Sequence, residues 1–467
     1  MRFYRSSSDP SIRGVVDAFG VVAVAQSTLE RHGGRVLKPS EVVAVPGTTV
    51  RPTVYRWAFL LVPDDILQDR AHLRGHGEEL DEVYGGDHHR ECGAVHRLND
   101  ALVTAGMELE PPPPLDGDDA LGPYLPYLRR LPRAARLRVR RGGPPAVVDA
   151  WVALQTLRTA ADADDSGVLP GIVDRIAMDH LLVGSAVTGG IVAAGPPTEG
   201  SPETGDGAPS AVIRPEYGRL PVDVLMSMPP RRSLAELGGQ RRAVVAVLDT
   251  GVDTNRYLGV TDGPPSDWGT EPFVTVDPVI QEQVRQSTQR DHDNGVPTEV
   301  IPDFRERPVS GGLLLDDLNS HIGHGTFIAG VVRQVSPDVE LRAIRIMLGD
   351  GIAPENALVT ALELLNARLD RAADAAAAHQ PVDPDDIVDV VSLSLGCFLE
   401  TEQDAQIVAP LLAAVRGLAA RGVIVVAAAG NFSTTRPFFP AFLAAGCLGL
   451  IALVLVSRIN VGEGVGS

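Results

Sequence analysis

Four runs of apolar, often β-branched residues recur through the second half of the chain, and they constrain the fold more than any other feature. The runs cover residues 243–248, 341–347, 388–395 and 423–429. A continuous apolar run of this length is typical of a strand that is buried on both faces. Helical patterns at residues 358–378 and 407–421 separate the later runs. This alternation predicts an α/β fold in which helices flank a parallel sheet.

The first half of the chain has a different texture. Short apolar runs and polar turns predict a strand at residues 57–62 and helices at 66–80 and 146–158. Residues 1–188 are therefore predicted to form an additional N-terminal α+β region. A stretch rich in Gly, Pro, Ser and Thr opens the segment 189–240, which is predicted to be a linker. The parallel-sheet domain is predicted at 241–440, followed by an apolar tail at 441–467.

Composition excludes several classes of protein. Hydrophobic residues make up 44% of the chain, enough for a sizeable core, so a wholly disordered chain is excluded. The net charge of −19 would repel phosphate backbones, so no nucleic-acid partner is expected. An odd set of three cysteines argues against a disulfide framework. The polar start of the chain has no apolar secretion signal, which predicts a cytoplasmic location.

The apolar tail allows three interpretations. Residues 438–457 form a 20-residue run without a charge, long enough to cross a bilayer. The first interpretation is a truncated or frame-shifted product, and the second is a membrane anchor, which makes membrane association the alternative location. The third is a buried strand followed by a frayed end. Pro440 and the lack of a flanking basic cluster weigh against the anchor.

Chemically capable residues follow the predicted strands. The first strand ends in the sequence D-T-G-V-D, whose Asp249 is well placed to orient a histidine. Aspartic proteases also use D-T-G, but they need a pair of such motifs, and D-T-G occurs only once in this sequence. Farther along, H-I-G-H-G-T-F-I-A-G opens a helix of small residues. Of its two histidines, His324 is the stronger candidate because Gly and Thr follow it, and His321 is the weaker one.

Two later strand ends add binding functions. The backbone of Ser394, Leu395 and Gly396 could pair with an extended peptide, although a plain buried strand end explains the same pattern. The side-chain amide of Asn431, at the end of A-A-A-G-N, could donate a hydrogen bond to a developing oxyanion.

Taken in this order, the four stretches resemble the subtilisin-like serine peptidases, or subtilases. The resemblance covers residues 241–440, about two-fifths of the chain. It implies a three-layer subtilisin-like fold with Asp249 as the triad acid, His324 as the general base and Asn431 as the oxyanion donor. Residues 394–396 would line the substrate cleft. The Asp-to-His spacing is long for the family, so residues 255–320 are expected to contain a surface insertion.

One departure from the family pattern concerns the nucleophile. Subtilases carry their serine in a G-T-S-x-A-x-P motif well after the asparagine, and this sequence contains no such motif. Only Ser433, Ser457 and Ser467 follow Asn431, and none opens a helix among small residues. The resemblance therefore predicts a serine endopeptidase whose nucleophile is missing from this chain, inactive as written. The alternative is a non-catalytic pseudo-peptidase that binds peptides or a partner, with or without a membrane tether.

The expected partner of the enzyme is a polypeptide substrate, and no cofactor is expected. Calcium sites are implied by the resemblance alone, without a position in this sequence. A separate cluster of histidines includes His89, Cys92 and His96, which share one helical face. These three could bind zinc, but the tight C-x-x-C pairing of a structural site is absent, so solvated histidines are favoured and no metal site is predicted.

Overall fold

The computed structural model describes most of the chain. The described residues are 26–40, 42, 49–68, 93–115, 120–128, 131–163, 170–185, 229–293, 295–306, 310–312, 317–318, 321–401, 410–428, 430 and 438–440.

An antiparallel sheet and short helices come from the first 185 residues. The strands are β1 (Gly34–Leu37), β2 (Thr53–Pro63), β3 (Met107–Glu110), β4 (Pro132–Val139) and β5 (Ala177–Gly184). The helices are α1 (Gln26–Arg31), α2 (Asp64–Gln68), α3 (Ala94–Leu102), α4 (Ala150–Ala161) and α5 (Pro170–Val173). Strand β2 pairs with β1, β4 and β5, and β4 pairs with β3. Leu60, Leu98 and Trp151 share a buried cluster that packs β2 against α3 and α4.

A parallel sheet follows from residue 244 onward. The strands from this residue onward are β6 (Val244–Asp249), β7 (Val274–Val276), β8 (Ser310–Gly312), β9 (Asp317–Leu318), β10 (Glu340–Arg345), β11 (Ile352–Pro354), β12 (Val390–Leu393), β13 (Leu395–Gly396) and β14 (Ile424–Ala427). Outside the parallel sheet, β8 pairs antiparallel with β9, and β11 and β13 pair with β5. The helices are α6 (Pro278–Asp293), α7 (His324–Val335), α8 (Glu355–Ala377) and α9 (Pro410–Ala420). The parallel sheet has the order β14–β12–β6–β10–β7.

Helices cover both faces of this sheet. Because side chains alternate along a strand, Ala246 and Leu248 of β6 face one way and Val247 faces the other. Ala246 and Leu248 belong to a buried cluster that includes residues of α6, α8 and α9. Val247 packs in a second cluster with Ala329 of α7. The predicted α/β class, with a parallel sheet, is confirmed.

The segment between the two main motifs contributes more than a surface insertion. Its strand β7 pairs with β10 at one end of the parallel sheet. In α6, the side chains of Ile280 and Val284 are fully buried in the main core. Polar residues such as Gln281 and Asp291 are buried on this helix as well, so the polar composition that suggested a surface insertion did not exclude burial, and residues 255–320 supply part of the core.

Strand β5 joins the two halves of the described structure. It pairs antiparallel with β11 along one side, and its last residues pair antiparallel with β13. Buried ion pairs reinforce the contact, since Arg56 of β2 lies 2.9 Å from Asp179 of β5 and 2.8 Å from Asp291 of α6. The boundaries at residues 188 and 240 stay predictions, and the linker segment from 189 to 228 lies outside the described residues.

Among the helices of the described residues, none is both long and apolar enough to cross a membrane. The tail at 441–467 lies outside these residues.

Candidate active site

The site begins where β6 ends. Asp249 is the last residue of β6 and is 1% exposed. Its Oδ1 atom accepts a hydrogen bond of 2.7 Å from the backbone amide of Thr250. Its Oδ2 atom is buried and has no hydrogen-bond partner among the residues that the structure describes. The carboxylate therefore keeps unused acceptor capacity in a position shielded from water, which favours a cationic neighbour.

That neighbour is His324, the first residue of α7. Its Nδ1 atom lies 2.7 Å from Oδ1 of Asp249. A carboxylate can only accept here, so Nδ1 carries the proton and Nε2 is left as the basic nitrogen of the neutral ring. Burial lowers the pKa of His324, but the hydrogen bond and the charge of Asp249 outweigh it, and the net pKa lies above the ordinary value. Asp249 and His324 were predicted to share one site because one ends a strand and the other begins a helix. The structure places their side chains in direct contact.

Two glycines explain how the turn after Asp249 (residues 250–253, the acid turn) comes so close to the beginning of α7 (the helix start). Gly251 has a φ of +99°, and a Cβ atom there would lie 2.3 Å from the carbonyl oxygen of Phe304. At Gly325 a Cβ atom would lie 2.2 Å from the carbonyl oxygen of Gly251. Since backbone atoms cannot yield as a flexible side chain can, only glycine fits at either position. The glycines of D-T-G and H-G-T are therefore needed for the close packing of the two segments, in addition to the chemistry predicted for Asp249 and His324.

A buried carboxylate that the sequence analysis missed links the two motifs. Glu306 is 2% exposed, and its Oε1 atom accepts hydrogen bonds from the hydroxyl of Thr250 and from the backbone amide of Gly323, the latter at 2.7 Å. Its Oε2 atom accepts from the hydroxyl of Thr326 at 2.8 Å. Glu306 lies in the segment interpreted as an insertion, and no local pattern distinguishes it there from the other acidic residues.

His321, the weaker histidine candidate, lies beside the pair without joining it. Its ring centre is 6.0 Å from that of His324, and its Nε2 atom lies 3.3 Å from the carbonyl oxygen of Gly184 in β5. Burial is the main cause that lowers the pKa of His321, and the neighbouring charge of His324 adds to it. Because its Nε2 atom is directed at β5, His321 does not compete with His324 for Asp249.

The predicted substrate-binding edge is already paired in this structure. Leu395 and Gly396 of β13 lie opposite Gly184 and Val183 of β5 in an antiparallel register. The backbone amide of Ser185 also donates a hydrogen bond of 2.7 Å to the carbonyl oxygen of Ser394. An extended strand therefore occupies this edge, and that strand belongs to the same chain.

Most of the remaining predicted residues lie outside the described part of the chain. Asn431 lies outside the described residues, as do Ser433, Ser457 and Ser467, although β14 ends at Ala427, four residues before the asparagine. His89 and Cys92 of the histidine cluster are likewise outside. His96 is exposed on α3 and lies 3.4 Å from Asp100.

No group of His, Cys, Asp and Glu side chains that could hold a metal ion occurs within the described ranges.

An open cavity of about 670 Å³ borders the site, with Glu306, Gly323, Thr326 and Phe327 among its lining residues. A larger cavity of about 980 Å³ contains none of the predicted site residues and is lined by residues of the N-terminal sheet and helices, such as Tyr55 and Trp151.

Comparison with known families gives a match in the second half of the chain. The family model described as the subtilase family matches residues 240–445. No curated protein matches the chain significantly.

Proposed function

Since the model of the subtilase family matches residues 240–445, we propose that the chain is a serine-type endopeptidase of this family that uses Asp249 and His324 as its acid and base. The observation that carries the proposal is the 2.7 Å contact between Asp249 Oδ1 and His324 Nδ1 at the end of a parallel strand. Ligands of open α/β sheets bind at this edge, beyond the carboxyl ends of the strands. The substrate class is a polypeptide.

In the proposed reaction a serine hydroxyl attacks the carbonyl carbon of a peptide bond. His324 takes the hydroxyl proton on Nε2 and then gives it to the leaving amine. Asp249 holds the Nδ1 proton and stabilises the imidazolium that forms. Asn431 would donate its side-chain amide to the oxyanion. Loss of the equivalent donor in subtilisin itself costs about 2.7–4 kcal/mol in the barrier.

The nucleophile belongs to the G-T-S-x-A-x-P segment that the family resemblance places after Asn431, and the 467-residue sequence does not contain this segment. No cofactor takes part in the proposed steps. Calcium, implied by the resemblance alone, has no assigned position.

Substrate would bind by pairing with residues 394–396 as an added strand. Because β5 occupies this edge, a peptide can pair there only after Val183, Gly184 and Ser185 have moved away from it. The same observation favours a second candidate function, a pseudo-peptidase that binds an extended segment of a partner without cleaving it. The edge already holds one extended strand, which is the kind of ligand that either function requires.

The test compares two forms of the protein. One is the chain itself, and the other carries a family-like segment with G-T-S-x-A after Pro440. We expect a fluorophosphonate probe to label the extended form, which should also cleave casein, and to leave the chain itself unlabelled. His324→Ala should abolish both signals, whereas His96→Ala, which changes an exposed histidine on α3, should leave them intact.

An extended form that folds, binds peptide and neither labels nor cleaves would overturn the peptidase proposal in favour of the binding protein. Labelling of the unextended chain at Ser433, Ser457 or Ser467, abolished by His324→Ala, would overturn only the assignment of the nucleophile to the added segment.

A further inference from the structure

The carboxylate of Glu306 connects the residues on either side of the proposed acid and base. Thr250, which donates to Oε1, directly follows Asp249 in the chain. Gly323 and Thr326, which donate to Oε1 and Oε2, flank His324 at the start of α7. One buried side chain therefore spans the acid turn and the helix start, the two pieces of backbone that must stay in register for Asp249 to reach His324.

The surrounding hydrogen bonds favour the ionised form of Glu306. The Thr250 hydroxyl oxygen accepts from the backbone amide of Gly325 at 2.9 Å, and the Thr326 hydroxyl oxygen accepts from the amide of Asp253 at 2.9 Å. With an amide already directed at each oxygen, both hydroxyl protons are available to Glu306. A carboxylate only accepts, so it satisfies all three donors. A protonated Glu306 would add a fourth donor, and none of these three groups would accept its proton.

The charge has no ion-pair partner in the described part of the chain. No salt bridge of Glu306 occurs there, so its negative charge acts on the groups of the elements that it joins. These are Asp249 on β6, Asp253 in the turn after it, His321 shortly before α7 and His324 at the start of α7. Arg345 of the neighbouring strand β10 directs its Nη1 atom to the carbonyl oxygen of Arg305.

Two opposing effects act on the charge of Glu306. Burial raises its pKa and the charge of Asp249 adds to the rise, while the three donors lower it without cancelling that rise, so the net pKa lies above the ordinary value. In turn, the charge of Glu306 raises the pKa of His324, in the same direction as Asp249. A second negative charge near the imidazole favours the imidazolium that forms when the base takes a proton.

We propose that Glu306 is a positioning residue that holds the acid turn against the helix start and places a second negative charge beside His324. The inference rests on the proposed function for its catalytic meaning. Its test needs no peptidase activity, so the two can fail separately.

The test is an NMR titration of the His324 ring in the intact chain, with the signal assigned by comparison with His324→Gln. In Glu306→Gln, which keeps the volume and an acceptor oxygen, the midpoint should move to lower pH. Glu363→Gln, which removes a carboxylate on α8 whose side-chain partner is Asn366, should leave the midpoint unchanged. An unchanged midpoint in Glu306→Gln, or an equal shift in Glu363→Gln, would overturn the proposal.

A measurement on the unmodified chain covers the case in which Glu306→Gln does not fold. When two titrating groups interact, the titration curve of each shows an inflection at the pH where the other group titrates. The carboxyl ¹³C signal of Glu306 and the ring signal of His324 should therefore share an inflection. A His324 curve without any inflection at the pH where Glu306 titrates would contradict the proposal even if no variant could be prepared.

Discussion

The backbone amide of Ser185 donates a hydrogen bond of 2.7 Å to the carbonyl oxygen of Ser394, so the end of β5 lies along the edge that was predicted to bind substrate. The bond continues the antiparallel pairing between β5 and β13. It joins residues far apart in the sequence, one from the N-terminal sheet and one from the region that matches the subtilase model. Access to the predicted substrate edge is therefore coupled to the position of the N-terminal sheet.

Replacing Ser185 by proline should loosen this edge. Proline has no N–H group to donate to Ser394, whereas Ser185→Ala keeps the backbone donor and removes only a buried hydroxyl that has no partner among the described residues. Hydrogen exchange measured by mass spectrometry should become faster in peptides covering 183–185 and 394–396 for Ser185→Pro alone. Equal exchange in the two variants would show that this bond does not hold the edge closed.

A buried histidine between two glutamates makes a second prediction. His180 of β5 places Nδ1 2.6 Å from Glu355 Oε2 and Nε2 2.9 Å from Glu400 Oε2, and all three residues are buried. His180→Ala would leave two carboxylates without their shared cation. We expect a loss of about 3–5 kcal/mol in the free energy of unfolding, measured with urea, because the charges stay buried and unpaired. His96→Ala, at an exposed histidine on α3, should change it by less than about 1 kcal/mol.

The same cluster predicts a pH dependence of stability. Burial lowers the pKa of His180, but the two glutamates outweigh burial and raise it well above its ordinary value. A group whose folded-state pKa is raised stabilises the fold fully below its unfolded-state pKa and ceases to do so as the pH rises through the folded-state value. The stability difference between the unmodified chain and His180→Ala should therefore shrink toward alkaline pH. A difference that grows with rising pH would contradict this assignment.

The close approach of Gly325 to Gly251 predicts the effect of adding one methyl group. Gly325→Ala should place a Cβ atom against the Gly251 carbonyl, destabilise the protein by about 1–3 kcal/mol and lower the pKa of His324 by separating it from Asp249. Gly330→Ala is the matched control because it lies in the same helix with open space around it. Alanine is the better helix former, so this control should stabilise the protein by up to about 1 kcal/mol. Similar urea midpoints for the two variants would contradict the packing argument.

Sequence periodicity predicted the parallel sheet because its strands carry their own signal. The apolar run at 243–248 became β6, because burial on both faces requires apolar residues at nearly every position. The run at 423–429 contains β14, but the prediction that this strand is buried on both faces is wrong, since Ile424 and Val426 are exposed on one face. The glycines of D-T-G and H-G-T likewise carry a local signal, and the contact between Asp249 and His324 follows from where their elements start and end.

Contacts between distant segments could not be predicted in this way. Glu306 has an ordinary acidic environment in the sequence, and its function depends on Thr250 and Thr326, which reach it only in the fold. The pairing of β5 with β13 depends on main-chain groups, which every residue has, so no side-chain pattern in the sequence predicts this pairing. Helix α6 was not predicted because its buried face carries polar residues such as Gln281 and Asp291, which weaken the apolar pattern of a buried helix.

Asp249 is expected to make His324 a stronger base, and the decisive measurement is the pKa of the His324 ring in the unmodified chain and in Asp249→Asn. The variant keeps the volume of the side chain and an oxygen for the Nδ1 proton but removes the charge. We predict a pKa above the ordinary histidine value in the unmodified chain, since the hydrogen bond and charge of Asp249 outweigh burial, and a clear fall in Asp249→Asn. The same pKa in both proteins, or a value below that of ordinary histidine in the unmodified chain, would contradict the assignment of Asp249 and His324 as acid and base.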